Sequence, residues 1–156
     1  MSKVIKLKEL IISIVIPLAV GGISSLLSLN GFKQFESINK PAFTPPGFLF
    51  PVVWTILYIL MGIGCYIVYV SNCKNKIDSL RVYALQLFFN FGWSILFFGF
   101  KLYWFAFVWL VALLVLIGLM IYQFYKCDKT AAYLQIPYFV WVAFAGILNV
   151  GVAILN

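Results

Sequence analysis

Charged residues divide this chain into five long intervals that contain no charge at all. The intervals are residues 10–32, 41–73, 82–100, 102–125 and 130–156. A helix that crosses the hydrocarbon core of a membrane needs about 20 apolar residues, and each interval is of that length or longer. Only 10% of all residues are charged, against about a quarter in soluble domains. The sequence therefore predicts an all-α integral membrane protein and excludes soluble enzymes.

The intervals predict a bundle of five transmembrane helices, with a long loop between the first two, in a single domain spanning residues 1–156. The expected helices cover about 7–29, 48–71, 79–100, 103–125 and 130–155. A closed β-barrel is the other way to satisfy the backbone in lipid. Segment 105–125 shows no alternation of apolar and polar residues, which argues against a barrel.

Basic residues are unevenly divided between the two ends of this predicted bundle. Eight lie on one side: Lys3, Lys6, Lys8, Lys74, Lys76, Arg81, Lys126 and Lys129. Three lie on the other: Lys33, Lys40 and Lys101. The positive-inside rule predicts a multi-pass protein of a bacterial plasma membrane with a cytoplasmic N-terminus. Because the net charge of +7 is spread over short loops, no nucleic-acid partner is expected.

The three cysteines predict no disulfide. Cys73 and Cys127 lie at the predicted cytoplasmic ends of helices, where thiols are kept reduced, and Cys65 lies within a span.

The segment Lys40–Tyr58, KPAFTPPGFLFPVVWTILY, combines four prolines with aromatic residues ahead of the second helix. Proline fixes its own φ and disfavours helix in the residue before it, so this segment is a rigid lead-in to that helix. It could simply connect two helices. It could also form part of a lid over a binding pocket, since long ordered loops in compact folds are usually functional; we favour the lid, residues 30–47.

Three predicted helices each carry a stripe of aromatic and polar residues at helical spacing. The stripes are Trp54, Tyr58, Met61 and Cys65; Gln86, Asn90, Trp93 and Phe97; and Tyr138, Trp141, Ala145 and Asn149. If they converge, they line an apolar pocket suited to a planar ligand; otherwise they fill a membrane core. Gly21 and Gly22 of the first helix either serve helix packing or leave room for a ligand.

Conventional catalytic and metal-binding groups are missing from the sequence. The chain has no histidine, no nucleophile–base pair, no Gly-rich phosphate loop and no carboxylate dyad. No metal site is therefore expected. Ionisable relay groups of the kind used by proton pumps are also missing from the middle of every predicted span.

Three motifs stand out along the chain: KPAFTPPGFLFPVVWTILYILMG at Lys40–Gly62, LFFNFGWSILFFG at Leu87–Gly99 and PYFVWVAFAGILN at Pro137–Asn149. Together they resemble the translocator protein family, also called tryptophan-rich sensory proteins or peripheral-type benzodiazepine receptors, and indicate a bacterial member. The resemblance implies one translocator-protein-like transmembrane domain, assembled as a homodimer in lipid. It also implies a receptor or sensor for tetrapyrroles such as protoporphyrin IX, and for benzodiazepine-site and other drug-like ligands. Light- and oxygen-dependent porphyrin degradation is implied as a further activity, without a required cofactor.

By motif position, the resemblance assigns Trp54 and Trp141 as redox partners of the porphyrin. It assigns ligand binding to Pro45, Pro46, Trp54, Tyr58, Asn90, Trp93, Tyr138, Trp141, Ala145 and Asn149. The chain departs from the family at Phe43 and Phe48, where tryptophan is common, and at Pro51-Val52, where Gly-Pro is common. It also lacks the animal-type cholesterol pattern. A porphyrin or small-lipid transporter, and a stress-linked membrane interaction protein, are the alternative functions.

Overall fold

The structure, a computed structural model, describes residues 4–156 and is helical almost throughout that range, with no strand. Its elements are α1 (Leu7–Leu27), α2 (Leu29–Phe35), α3 (Leu49–Val70), α4 (Lys76–Ser94), a π-helical segment (Ile95–Gly99), α5 (Tyr103–Cys127), α6 (Lys129–Tyr133) and α7 (Ile136–Leu155). Lys3, which the charge count includes, lies outside the described residues.

Five segments of the described chain are long and apolar enough to cross a membrane. Three are α1, α3 and α5; the other two are α4 with its π-helical extension, and α6 together with α7. The shortest has 21 residues, which at about 1.5 Å per residue matches the roughly 30 Å of a bilayer core. The predicted fold class is confirmed, and the protein is a multi-pass membrane protein.

The fifth span is interrupted where the sequence predicts one continuous helix. Leu134 and Gln135 form a turn between α6 and α7, and Pro137 lies in the first turn of α7. Proline has no N–H to donate to the preceding turn, but it is well tolerated at the start of a new helix. The break thus follows from the position of Pro137.

Small residues let neighbouring helices approach closely in this bundle. On α3, a Cβ atom at Gly62 would lie 2.6 Å from the Ser13 carbonyl oxygen of α1, so α1 and α3 meet backbone to backbone. Two residues further along, Gly64 leaves room for the buried Gln135 side chain, whose Nε2 donates to the Leu60 carbonyl at 3.2 Å. Such contacts replace the hydrophobic driving force that helices lack inside lipid. Elsewhere, α4 and α7 both pack against α5.

The expectation of three free thiols is wrong in this structure. Cys73, just after α3, and Cys127, the last residue of α5, form a disulfide, with their Cα atoms 5.0 Å apart. Cys65 remains free. The sequence argument considered only the expected compartment, whereas pairing also depends on distance, and α3 and α5 end side by side on the basic face. The bond lies on the face that the positive-inside rule assigns to the cytoplasm, so it is subject to reduction by cellular thiols there.

We expect the Cys73–Cys127 bond to be detectable by thiol counting. Protein purified in air and denatured without reductant should react with one equivalent of maleimide, at Cys65, and with three equivalents after reduction. Loss of the bond in Cys73→Ser should lower the melting temperature in detergent, because a disulfide typically contributes about 2–4 kcal/mol. Cys65→Ser is the control for loss of a thiol. Three reactive thiols in the unreduced wild type would contradict the pairing.

Candidate functional site

A cavity of about 380 Å³ lies inside the bundle, which is within the usual range of roughly 300–1,000 Å³ for ligand pockets. Its walls come from α1, α3, α4 with the π-helical segment, and α7, and the loop between α1 and α3 covers its outer side. Of the ten predicted ligand-binding residues, seven line it: Trp54, Tyr58, Asn90, Trp93, Trp141, Ala145 and Asn149. The three stripes therefore do converge on one space.

A chain of hydrogen bonds joins α3, α4 and α7 beneath this cavity. Tyr58 donates its hydroxyl to Asn90 Oδ1 at 2.7 Å, and Asn90 Nδ2 donates to the Tyr138 hydroxyl at 2.8 Å. Tyr138 in turn donates to Gln86 Oε1 at 2.7 Å. All four side chains are buried. We call Tyr58, Asn90, Tyr138 and Gln86 the polar chain; it satisfies the amides that would otherwise be unpaired inside the membrane.

A second pair of polar side chains, Trp93 and Asn149, also lines the cavity. Trp93 donates its indole N–H to Asn149 Oδ1 at 3.0 Å, which ties α4 to α7. Asn149 Nδ2 then donates to the Tyr103 carbonyl at 2.8 Å, at the start of α5. Because these groups bond to one another, little hydrogen-bonding capacity remains for a ligand along this wall.

Aromatic rings form most of the remaining wall. Trp54 stacks on Tyr58 with ring centres 5.6 Å apart, and Phe50 meets Trp141 edge to face at 6.0 Å. Trp93 stacks on Phe97 at 5.2 Å. Ring pairs of this kind favour defined mutual orientations, and the stacked pairs present ring faces suited to a planar ligand.

The π-helical segment turns two consecutive phenylalanines toward the cavity. Phe100 donates its N–H to the Ile95 carbonyl, five residues back, at 2.9 Å. The wider turn lets both Phe97 and Phe98 line the cavity, whereas a regular α-helix separates neighbouring residues by about 100°. Segments of this type occur frequently at functional sites.

On α1, the structure separates the two glycines that the sequence left open. Gly21 lines the cavity, and the Tyr58 ring occupies the space that its side chain would need, so Gly21 serves both packing and the site. Gly22 has no neighbour within 4 Å of a Cβ position and points away from the bundle. Ser24 lines the cavity as well, and its hydroxyl donates to the Phe91 carbonyl at 3.3 Å.

The loop over the cavity is attached to the bundle at two places. At its start, α2 lies against the π-helical segment: Phe32 and Phe98 have ring centres 4.5 Å apart. Later, Pro41 fills the space beside Gly151 of α7, and Asn156 Nδ2 donates to the Asn39 carbonyl at 2.8 Å. The loop is therefore docked onto the bundle.

Three predicted ligand-binding residues do not line the cavity. Tyr138 is fully buried within the polar chain. Pro45 and Pro46 lie next to Gly47, which does line it. The prediction for these three as ligand contacts remains untested.

The structure adds cavity residues that the sequence argument did not select. Phe50 and Ser94 lie one helical turn from Trp54 and Asn90 respectively, so extending the stripes would have found both. Phe98 lies four residues after Ser94, so a further step of the same extension reaches it, although the π-helical turn that carries it was not predicted. Glu36, at the end of α2, belongs to no stripe.

Carboxylate and cysteine side chains are not gathered anywhere in residues 4–156 in a group of three that could hold a metal ion. The cavity instead offers flat apolar walls and a few fixed polar groups, an arrangement that can hold a planar ligand by stacking and exclude water from it.

Five membrane spans around an internal aromatic cavity define the class: a polytopic helical membrane protein with an intramembrane pocket. Residues 13–155 match the profile of the TspO/MBR family. The chain is 36% identical over 149 residues to the tryptophan-rich protein TspO of Archaeoglobus fulgidus. The aligned residues cover 95% of this chain and 97% of the relative. The chain belongs to the TspO/MBR family.

Other relatives come from bacteria and animals. The tryptophan-rich sensory protein of Cereibacter sphaeroides is 32% identical over 124 residues, covering 80% of this chain and 77% of the relative. The translocator protein of Bos taurus is 34% identical over 123 residues, covering 77% and 73% respectively.

We expect Tyr138→Phe to destabilise the bundle. Removing the hydroxyl leaves Asn90 Nδ2 and Gln86 Oε1 without their partner, and one buried unsatisfied group typically costs about 1–3 kcal/mol. Thermal unfolding in detergent, followed by tryptophan fluorescence, should show a clear fall in melting temperature. Tyr133→Phe is the matched control, because Tyr133 is 55% exposed. Equal melting temperatures for the two variants would contradict a structural role of the polar chain.

Proposed function

We propose that this protein is a membrane receptor that binds tetrapyrroles such as protoporphyrin IX in the cavity and supports their degradation in light and oxygen. The observation that carries the proposal is the cavity wall itself, which consists of mutually stacked aromatic rings with few free polar groups. A wide, flat and largely apolar ring system gains stacking and burial there, while a small polar metabolite does not. Other flat drug-like ligands, including benzodiazepine-site compounds, satisfy the same requirement.

Trp141 supplies a further argument for a ligand. Its indole Nε1 is buried and has no hydrogen-bond partner among residues 4–156. Buried donors are normally satisfied, so an acceptor atom of a bound molecule near Trp141 would supply the partner that this chain lacks.

Two tryptophans in the cavity wall make photochemistry possible without a metal. Trp54 and Trp141 both line the cavity, so a bound ring lies within contact distance of an indole. In the proposed reaction an indole donates an electron to the light-excited ring, and the reduced ring passes it to dioxygen, which becomes superoxide. The indole radical cation then recovers an electron from the porphyrin, so that the ring is the net electron donor and dioxygen the net acceptor. The docked loop restricts bulk water, which keeps reactive products beside the substrate.

The proposal extends to assembly and orientation. We take the protein to be a homodimer in the plasma membrane with a cytoplasmic N-terminus. The support for this orientation is the excess of basic residues on the face that carries Lys74, Lys76 and Arg81.

Replacing both cavity tryptophans tests the proposed function. Trp54→Phe/Trp141→Phe keeps two aromatic rings but removes the indoles. We expect only a few-fold loss of protoporphyrin IX affinity, and at least about a tenfold slower light-dependent loss of its absorbance, equivalent to about 1.4 kcal/mol in the barrier. Trp104→Phe is the control, since Trp104 is 57% exposed and does not line the cavity. Unchanged binding and unchanged photolysis in the double variant would refute the proposal.

The loop should control ligand release if it acts as a lid. Pro45→Ala/Pro46→Ala makes the segment beside Gly47 more flexible, and such changes alter local stability by about 0.4–1 kcal/mol. We expect dissociation of protoporphyrin IX to become about two- to fivefold faster, measured by stopped-flow fluorescence. The helical circular dichroism spectrum and the association rate should remain unchanged. An unaltered dissociation rate would exclude this part of the loop from gating.

A further inference from the structure

One charged side chain lines the cavity among residues 4–156, and it is Glu36. This residue caps the C-terminal end of α2 and is exposed, so it lies where the cavity opens to the surroundings. Its Oε1 atom lies 4.0 Å from the position of a Cβ on Gly47. The carboxylate thus sits between α2 and the segment that leads into α3, at the mouth of the cavity.

The Glu36 carboxylate makes no ion pair and no hydrogen bond with any residue between 4 and 156; the ion pair found in that range joins Arg81 and Asp78 on the opposite face. The Lys40 ammonium lies near Glu36 but does not contact its carboxylate. The ammonium donates to the main-chain carbonyl of Glu36 at 3.2 Å and lies 5.0 Å over the Phe35 ring. The carboxylate at the mouth therefore forms no direct ion pair, although the Lys40 ammonium lies close by on the main chain of the same residue.

An unpaired carboxylate beside an apolar cavity discriminates between ligands by their charge. The walls behind it are largely aromatic, and no lysine or arginine among residues 4–156 lines the cavity, so the walls offer no cation to offset it. Electrostatic interactions are stronger next to such a low-dielectric surface than in open water. A ligand that brings a carboxylate to the mouth is repelled, and one that brings an ammonium or an N–H donor is attracted.

We propose that Glu36 is a specificity-determining residue that makes the cavity prefer planar apolar ligands bearing a cationic amine, or a neutral edge, over ligands bearing carboxylates at the mouth. The inference rests on the proposed function, in that it takes the cavity to bind flat aromatic molecules, and it names the ligand class within that function. Lys40 and Lys33, the nearest basic residues along the chain, act in the opposite direction and set how far the preference extends.

Three forms of one tetrapyrrole test this preference: protoporphyrin IX with free carboxylates, its dimethyl ester, and a derivative whose two acids carry terminal amines. Affinities are measured by tryptophan quenching in non-ionic detergent at low ionic strength. The wild type should bind the amine form more tightly than the ester, and the ester more tightly than the diacid. Partly exposed charge pairs are worth about 0.2–1 kcal/mol, so each step should be about 1.5- to fivefold.

Glu36→Gln preserves the shape of the side chain and removes its charge. This variant should raise the affinity for the diacid, lower that for the amine form by a similar factor, and leave the ester unchanged. Asp78→Asn, which removes a negative charge on the far face, should change none of the three, and Lys40→Gln should shift the preference the other way. High salt should reduce the differences seen in the wild type. A wild type that prefers the diacid, or a Glu36→Gln variant that shifts all three affinities equally or not at all, overturns the proposal.

A separate ligand pair distinguishes failure of this inference from failure of the proposed function. If no tetrapyrrole binds to the wild type, the proposed function fails, and the same variants are tested with a flat three-ring aromatic amine and its neutral alcohol analogue. Preference for the amine that disappears in Glu36→Gln then supports the role of Glu36 independently. Equal binding of the two compounds by the wild type overturns it.

Discussion

The bundle depends on satisfying one amide inside the membrane. Asn90 lies inside the membrane span that α4 forms with the π-helical segment, where lipid offers no hydrogen-bond partner. Its carbonyl and amino groups bond to Tyr58 of α3 and Tyr138 of α7. Because an unsatisfied amide is expensive in an apolar medium, these bonds favour one arrangement of the three helices over slipped alternatives. Gln86 extends the same chain deeper into the bundle.

The cavity results from the large aromatic rings that lie above the polar chain. Below the polar chain the helices pack closely around Gly62 and Gly64, whereas above it large rings stack on one another and keep the helices apart. Gly21 accommodates the Tyr58 ring, and the π-helical turn directs both Phe97 and Phe98 inward. These ring pairs surround the cavity of about 380 Å³.

Because few polar groups in the cavity wall are free to bind a ligand, the charge of Glu36 matters for discrimination between ligands. Asn90, Asn149 and Trp93 use their hydrogen-bonding capacity within the protein, which leaves stacking and burial as the main attractions for a ligand and supplies little discrimination among flat molecules. Discrimination then comes from the edge of the cavity, where a charge can act on a polar substituent. Shape selection by the walls and charge selection at the mouth are thus separate properties of one site.

The sequence by itself determined the five spans, because the length of an uncharged interval is a local property of the chain. It also determined the helix faces that converge on the cavity, because the spacing of three to four residues along each helix is local as well. Those faces carry Trp54, Tyr58, Asn90, Trp93, Trp141 and Asn149. Periodicity defines a helix face but not which side chains are displaced by their neighbours, so the position of Tyr138 beneath the cavity was decided by tertiary packing. No sequence signal predicted the π-helical turn at Ile95–Gly99 that carries Phe97 and Phe98. Cys73 and Cys127 pair although they lie 54 residues apart in the sequence. Glu36 lies at the mouth beside Gly47, which is 11 residues further along the chain. No local sequence pattern encodes contacts between residues so far apart.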